Sequence, residues 1–337
     1  MAYNELISSG VTLNADAATT YSFSFDTPIA ADGSPHITQM GFQIDAVMAA
    51  AITAQTGTLG KLITSLRVKV GANTIVDWDS PIAYAAGSNP ASSVAQISVL
   101  AQSLGGEDYF WGEPNAVDKS ILTGISFPVG LDASKSHRVN VTLGLDVVTD
   151  WYGGATGFAS SEMNVELAYG IAKEATLVGA GQQFTMSANA QRVVTIYGKQ
   201  NWSMLGILVC NDSENDEITE IRANNVAFRA LKPSQWRTIF GRSRRNPLRG
   251  LPAMTNEQNV APTYLTQMQG TLFMDLRRLS AGASIDLSVY TTAGTDLRFY
   301  PVFVAPLGAQ TARPPKQTAV NPQSTTQTVV TEDASQN

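Results

Sequence analysis

Ile63-Thr-Ser-Leu-Arg67 recurs 155 residues later as Ile218-Thr-Glu-Ile-Arg222. A longer pattern recurs in the same order. Leu131-Asp-Ala-Ser-Lys-Ser-His-Arg-Val-Asn-Val-Thr-Leu143 is echoed by Leu279-Ser-Ala-Gly-Ala-Ser-Ile-Asp-Leu-Ser-Val-Tyr-Thr291, 148 residues on. A Phe precedes each copy, Phe127 and Phe273. Two matches in one order at nearly one offset read as a single domain present twice. The joint falls near residues 170–182. There Gly170-Ile-Ala-Lys-Glu-Ala-Thr-Leu-Val-Gly-Ala-Gly181 suits a linker running into a new first strand.

Periodicity says what kind of domain is repeated. Tyr21-Ser-Phe-Ser-Phe25 alternates aromatic and small polar residues, the period of a half-buried strand. Leu66-Arg-Val-Lys-Val70 alternates likewise, stops at Gly71-Ala-Asn73, and resumes as Thr74-Ile-Val-Asp-Trp78, which predicts a hairpin. Further alternating runs lie at 139–145, 164–169, 192–197, 284–290 and 297–304. Helix signals are few. The stretch 45–55 is rich in Ala and Met and reads either as a helix or as the continuation of a long bent strand. Pro233-Ser-Gln-Trp-Arg-Thr-Ile-Phe240 predicts one or two helical turns. Many short strands with little helix predict an all-β chain of two tandem eight-stranded jelly-roll domains, with few short helices. The expected division is 1–172, an acidic first domain; 173–307, a basic second domain; and 308–337, a flexible arm. The arm is rich in Pro, Gln and Thr and too poor in large apolar residues to offset the entropy of ordering itself.

Composition narrows the function. Charged residues are 15% of 337, well under the usual fraction of about 25%. The net charge of −6 is uneven: residues 1–170 hold 6 Lys/Arg and 16 Asp/Glu, residues 171–337 hold 16 and 12. Opposite charge on two halves can steer head-to-tail association of identical chains. The single Cys210 excludes an intramolecular disulfide. The start MAYNELISSG carries no secretory-signal pattern, and no apolar run is long enough to span a membrane.

The search for catalytic chemistry returns little. Two histidines, His36 and His137, are too few for a His-rich metal centre and are expected at the surface. There is no G-x-S-x-G elbow, phosphate-binding loop or C-x-x-C pair, so an enzyme is not expected and no catalytic residue is assigned. The densest acidic run, Asn211-Asp-Ser-Glu-Asn-Asp-Glu217, makes Asp212, Glu214 and Asp216 weak candidates for structural Ca²⁺, with a solvated loop as the alternative. No other cofactor is implied. Residues 222–249 hold eight Lys/Arg and no acid. Arg237, Arg242, Arg244, Arg245 and Arg249 are therefore candidates for subunit or phosphate contact, without sequence-specific nucleic-acid reading, with a solvated loop as the alternative. Trp111 and Trp151 are candidates for receptor or glycan stacking.

The duplicated β pattern, the segments 63–78 and 218–231 and the tail together resemble a family. It is that of the double jelly-roll major capsid proteins of tailless icosahedral viruses with an internal membrane, the tectivirus, corticovirus and adenovirus type. The resemblance covers roughly residues 10–305 and rests on the rhythm of apolar residues. It implies a homotrimer that imitates a hexagon and packs against neighbouring trimers. It also implies penton and minor capsid partners, a lipid membrane beneath the shell, a virion location and synthesis in the host cytoplasm. The alternative from the residues themselves is a carbohydrate-binding or adhesin β-sandwich.

Overall fold

The computed structural model describes residues 3–50, 54–55, 59–79, 96–112, 119–147, 152–153, 157–211, 218–223, 271–276 and 278–307. Thirteen elements lie in the first half. These are β1 (Tyr3–Val11), β2 (Thr19–Asp26), β3 (His36–Met48), β4 (Ala54–Gln55), α1 (Leu59–Leu62), β5 (Ile63–Val70) and β6 (Asn73–Asp79), followed by α2 (Gln96–Leu104), β7 (Asp108–Gly112), β8 (Ser120–Asp132), β9 (Arg138–Leu145), β10 (Tyr152–Gly153) and β11 (Phe158–Gly170). Eight more follow: β12 (Glu174–Val178), β13 (Gln182–Met186), β14 (Ala190–Ile196), β15 (Ser203–Asn211), β16 (Ile218–Ala223), β17 (Thr271–Asp275), β18 (Ile285–Thr291) and β19 (Thr295–Pro306).

The pairing order makes two jelly rolls. With the short strands β4, β7 and β10 set aside, the first half has eight strands. One of its sheets runs β1-β11-β3-β8 and the other β2-β9-β5-β6. Counted in chain order these are 1-8-3-6 and 2-7-4-5, the double Greek key of a jelly roll. The second half repeats the scheme. β12-β19-β15-β17 is its 1-8-3-6 sheet, and β14-β18-β16 supplies positions 2-7-4 of the other. Position 5, between β16 and β17 in the chain, falls outside the described residues. β13 is an addition, paired along β19.

The sequence repeat maps onto this symmetry. Ile63–Arg67 and Ile218–Arg222 are both in the fourth strand, and both fourth strands pair with a seventh, β5 with β9 and β16 with β18. Phe127 and Phe273 lie in the sixth strands. Leu66 faces Leu143 and Ile221 faces Val289, so the seventh strands are related by 146 residues rather than the 148 of the sequence match. A slip of two keeps every side chain on its own face of a pleated strand, so alternation cannot detect it.

Apolar faces close two cores. One gathers Phe42, Ile44, Leu66, Val141 and Val165 between the sheets of the first barrel. The other gathers Ile196, Ile207, Ile221, Val289 and Phe299 in the second. The predicted hairpin at Gly71 is present, with Gly71 at φ 57° in the left-handed region that Gly adopts without steric cost. The open alternative at 45–55 resolves as strand up to Met48, because Ile44, Ala46 and Met48 alternate into the core. Phe127-Pro-Val-Gly-Leu131 lies inside β8. Pro128 is tolerated there because it sits at the register shift against β3. The expected helical turns at 233–240 lie outside the described residues.

Candidate functional site: the barrel junction and the outer sheet face

The two barrels share a junction built from β12, β6, β8 and β19. Only three residues, 171–173, separate the last strand of the first barrel from the first strand of the second. β12 pairs with β19 on one side and meets β6 in parallel on the other, Val178 against Val76. A sheet of each barrel is thereby joined edge to edge. Gly130, at φ 73° in β8, takes this approach. A Cβ there would lie 2.4 Å from the Glu174 carbonyl oxygen and 2.8 Å from Ala175 Cα.

The 1-8-3-6 sheet of the second barrel is buried on both faces. Along β15, Met204, Ile207 and Val209 enter the second core while Leu205, Leu208 and Cys210 enter the first. Along β19, Leu297 and Phe299 divide from Tyr300 and Val302 in the same way. Such a strand reads as a continuous apolar run. At its rim, the Arg298 guanidinium pairs with the Asp79 carboxylate, and the Tyr300 hydroxyl donates to the Asp79 carbonyl. The Trp78 and Tyr300 rings stand 6.4 Å apart at 41°. Burial pushes the Tyr300 phenol and the Cys210 thiol well above their ordinary values, so both stay protonated across the neutral range. Arg278 pairs with Glu174 at the start of β12.

His36 corrects the sequence reading. It is 3% exposed at the start of β3, not on the surface. Its Nδ1 accepts the Ala172 amide at 3.3 Å, within the connection between barrels. Burial lowers its pKa below 6.5, against the opposing pull of Asp132. His137 is partly buried, and its Nε2 donates to the Asp132 carbonyl at 2.6 Å.

The outer face of the β1-β11-β3-β8-β7 sheet is open and acidic. Its five strands contain no Lys or Arg. Asp45 lies directly opposite Glu162 in the β3–β11 ladder, a like-charge pair. Leu6 is 56% exposed on the same face. A hollow of 430 Å³ opens there, lined by Leu6, Gln43, Glu107, Tyr109, Leu122 and Glu166. Its Tyr109 phenol is pushed up to about 12, first by burial and then by Glu166 and Glu107.

Of the sequence candidates, only Trp111 falls on a described element. It pairs with Leu122 across β7 and β8. Trp151, the Ca²⁺ candidates Asp212, Glu214 and Asp216, and the arginines Arg237, Arg242, Arg244, Arg245 and Arg249 lie outside the described residues. Among the described residues no three His, Cys, Asp or Glu are grouped to hold a metal ion.

No protein-family model matches the chain, and no curated protein matches it. Solved structures do. The crystal structure of the STIV MCP superposes with a TM-score of 0.55 at 12% identity, covering 95% of this chain and 99% of that one. An atomic structure of Sulfolobus Turreted Icosahedral Virus gives 0.53 at 11%, over 90% of each chain. The major capsid protein P2 of bacteriophage PM2 gives 0.51 at 9%, over 92% of this chain and all of that one. The likeness runs through both barrels, and this chain has the double jelly-roll fold of those capsid proteins.

Proposed function

We propose that this chain is a major capsid protein, the repeating block of an icosahedral virus shell. The observation that carries this reading is the union, through one continuous sheet, of two barrels whose described strands share one order. Six near-equal barrels can then be supplied by three chains. The fold shared with capsid proteins of icosahedral viruses supports the same reading. The division into 1–172, 173–307 and an arm 308–337 is part of the proposal.

On this reading the first partner is a second copy of the same chain. A head-to-tail contact between the acidic first barrel and the basic second barrel closes after three copies. Trimers then tile beside each other, with penton and minor capsid proteins at special positions and a membrane beneath. The protein works in the virion, is made in the host cytoplasm, and works through contact rather than catalysis. Light scattering on the purified chain tests this. A particle near three times 35.9 kDa is expected, and a stable monomer at micromolar concentration contradicts it.

A further inference from the structure

We propose that His36 is an acid-released catch on the connection between the barrels: a proton on its Nδ1 frees the Ala172 amide and opens residues 171–173 while both barrels stay folded. The catch is a property of the single chain and holds whether or not the chain builds a shell. One residue ties the connection to each side. The Ala172 amide donates to Nδ1 of His36, the first residue of β3 in barrel one, at 3.3 Å. The Lys173 carbonyl accepts the amide of Leu307, just beyond β19 in barrel two, at 3.0 Å. The nitrogen that holds Ala172 is thus the one free to take a proton, and an imidazolium donates from both nitrogens and accepts at neither. Protonation sets donor against donor. Ile171, beside Ala172, is 72% exposed, so water reaches the connection once the hold is lost.

The groups around the ring are committed elsewhere. Asp32, in the β2–β3 connection, accepts from the Ser34 amide and hydroxyl. The Asp132 carboxylate, at the end of β8, accepts from Ser134 and pairs with Lys135. His137 bonds the Asp132 carbonyl through Nε2, and the Tyr169 hydroxyl of β11 donates to the Pro28 carbonyl. Beyond Ala172, Lys173 is a further cation and Glu174 pairs with Arg278. Among the described residues no carboxylate pairs with His36. The charge of Asp132 favours a proton on the ring, and burial outweighs it. Neutral His36 therefore holds the connection at neutral pH and lets it go in acid.

The test is hydrogen exchange of the Ala172 amide in the full chain across about pH 4.5–7.5, corrected for the intrinsic rate. The ring signals are followed by NMR in parallel, and a chain with two histidines makes them simple to assign. Protection at Ala172 is expected to fall about tenfold per pH unit below the His36 midpoint, while the Val165 amide in β11 keeps its protection. In His36→Gln, whose side-chain carbonyl accepts at every pH, the profile is expected to be flat; His137→Gln keeps the wild-type fall. The wild-type profile decides alone if His36→Gln does not fold. Protection at Ala172 that ignores pH, a midpoint that is not that of the His36 ring, a fall retained in His36→Gln, or loss at Val165 together with Ala172 overturns the catch.

Discussion

Thr64 and Thr219 are the same bulge built twice. On β5 the pairing steps from Ile63 to Ser65 while β9 advances one residue, leaving Thr64 extra; on β16 it steps from Ile218 to Glu220 while β18 advances one, leaving Thr219 extra. A bulge kinks its strand and raises the local twist, and such features are retained rather than accidental. Residues on either side keep matching burial, with Leu66 and Ile221 both fully buried. The two barrels therefore agree in strand order, in register and in a local irregularity.

Matched positions are expected to respond alike. Leu66→Ala and Ile221→Ala each delete a fully buried branched side chain and should each cost about 2–4 kcal/mol. Urea denaturation of the two variants checks this. A cost under about 0.5 kcal/mol at either site would place that residue outside a packed core.

Gly130→Ala tests the junction. The left-handed φ of 73° and the 2.4 Å approach to the Glu174 carbonyl both oppose a Cβ, and the obstacle is backbone. A loss of about 1–3 kcal/mol is expected, with the trimer weakened because the barrels are forced apart. Thermal melting and light scattering read the two effects. Gly10→Ala shares the positive φ without any neighbour inside 4 Å and is expected to keep the trimer.

Tyr300→Phe removes the hydroxyl that donates to the Asp79 carbonyl while leaving the ring against Trp78. The expected cost is about 1 kcal/mol, with a shift in Trp fluorescence. Asp79 is 59% exposed, so the Arg298 ion pair is screened by solvent. Arg298→Ala is therefore expected to act mainly through lost packing on the sheet rim.

Acid should loosen the link between barrels. The His36 pKa is below its unfolded value of 6.5, so the unfolded chain binds the extra proton first. The contribution is complete above pH 6.5 and is lost as the pH falls through the folded value. Protonation also removes the acceptor used by the Ala172 amide. Stability is expected to decline below pH 6.5 in the wild type and to be flatter there in His36→Gln, measured by denaturation across pH.

The Cys210 thiol should be silent. It is fully buried and held protonated, so a disulfide reagent at pH 8 is expected to label it only after unfolding. Rapid labelling of the native protein would mean that the second barrel's inner sheet opens.

Half-buried strands were legible because their faces differ. Tyr21–Phe25 and Leu66–Val70 alternate and lie in β2 and β5. β15, Ser203-Met-Leu-Gly-Ile-Leu-Val-Cys-Asn211, carries no such signal, since both faces are buried and every position favours apolar residues. β1 is inconspicuous in the sequence because it pairs on one side only and is half exposed, so its apolar residues are sparse. α2 was hidden by Ile97 and Val99, whose branched side chains favour strands in isolation. His36, after Ser34-Pro35, reads as a surface residue, yet the ladder to Asp132 and Gly170 begins at it. The acidic sheet face was visible only as a charge imbalance between halves. Its concentration on one surface depends on the order in which β1, β11, β3 and β8 pair.

Electron microscopy of the purified assembly addresses the central claim most directly. The account expects a six-sided particle with threefold symmetry, each side one barrel, with alternate barrels superimposable. Isolated two-lobed monomers, or oligomers without a threefold axis, would contradict it.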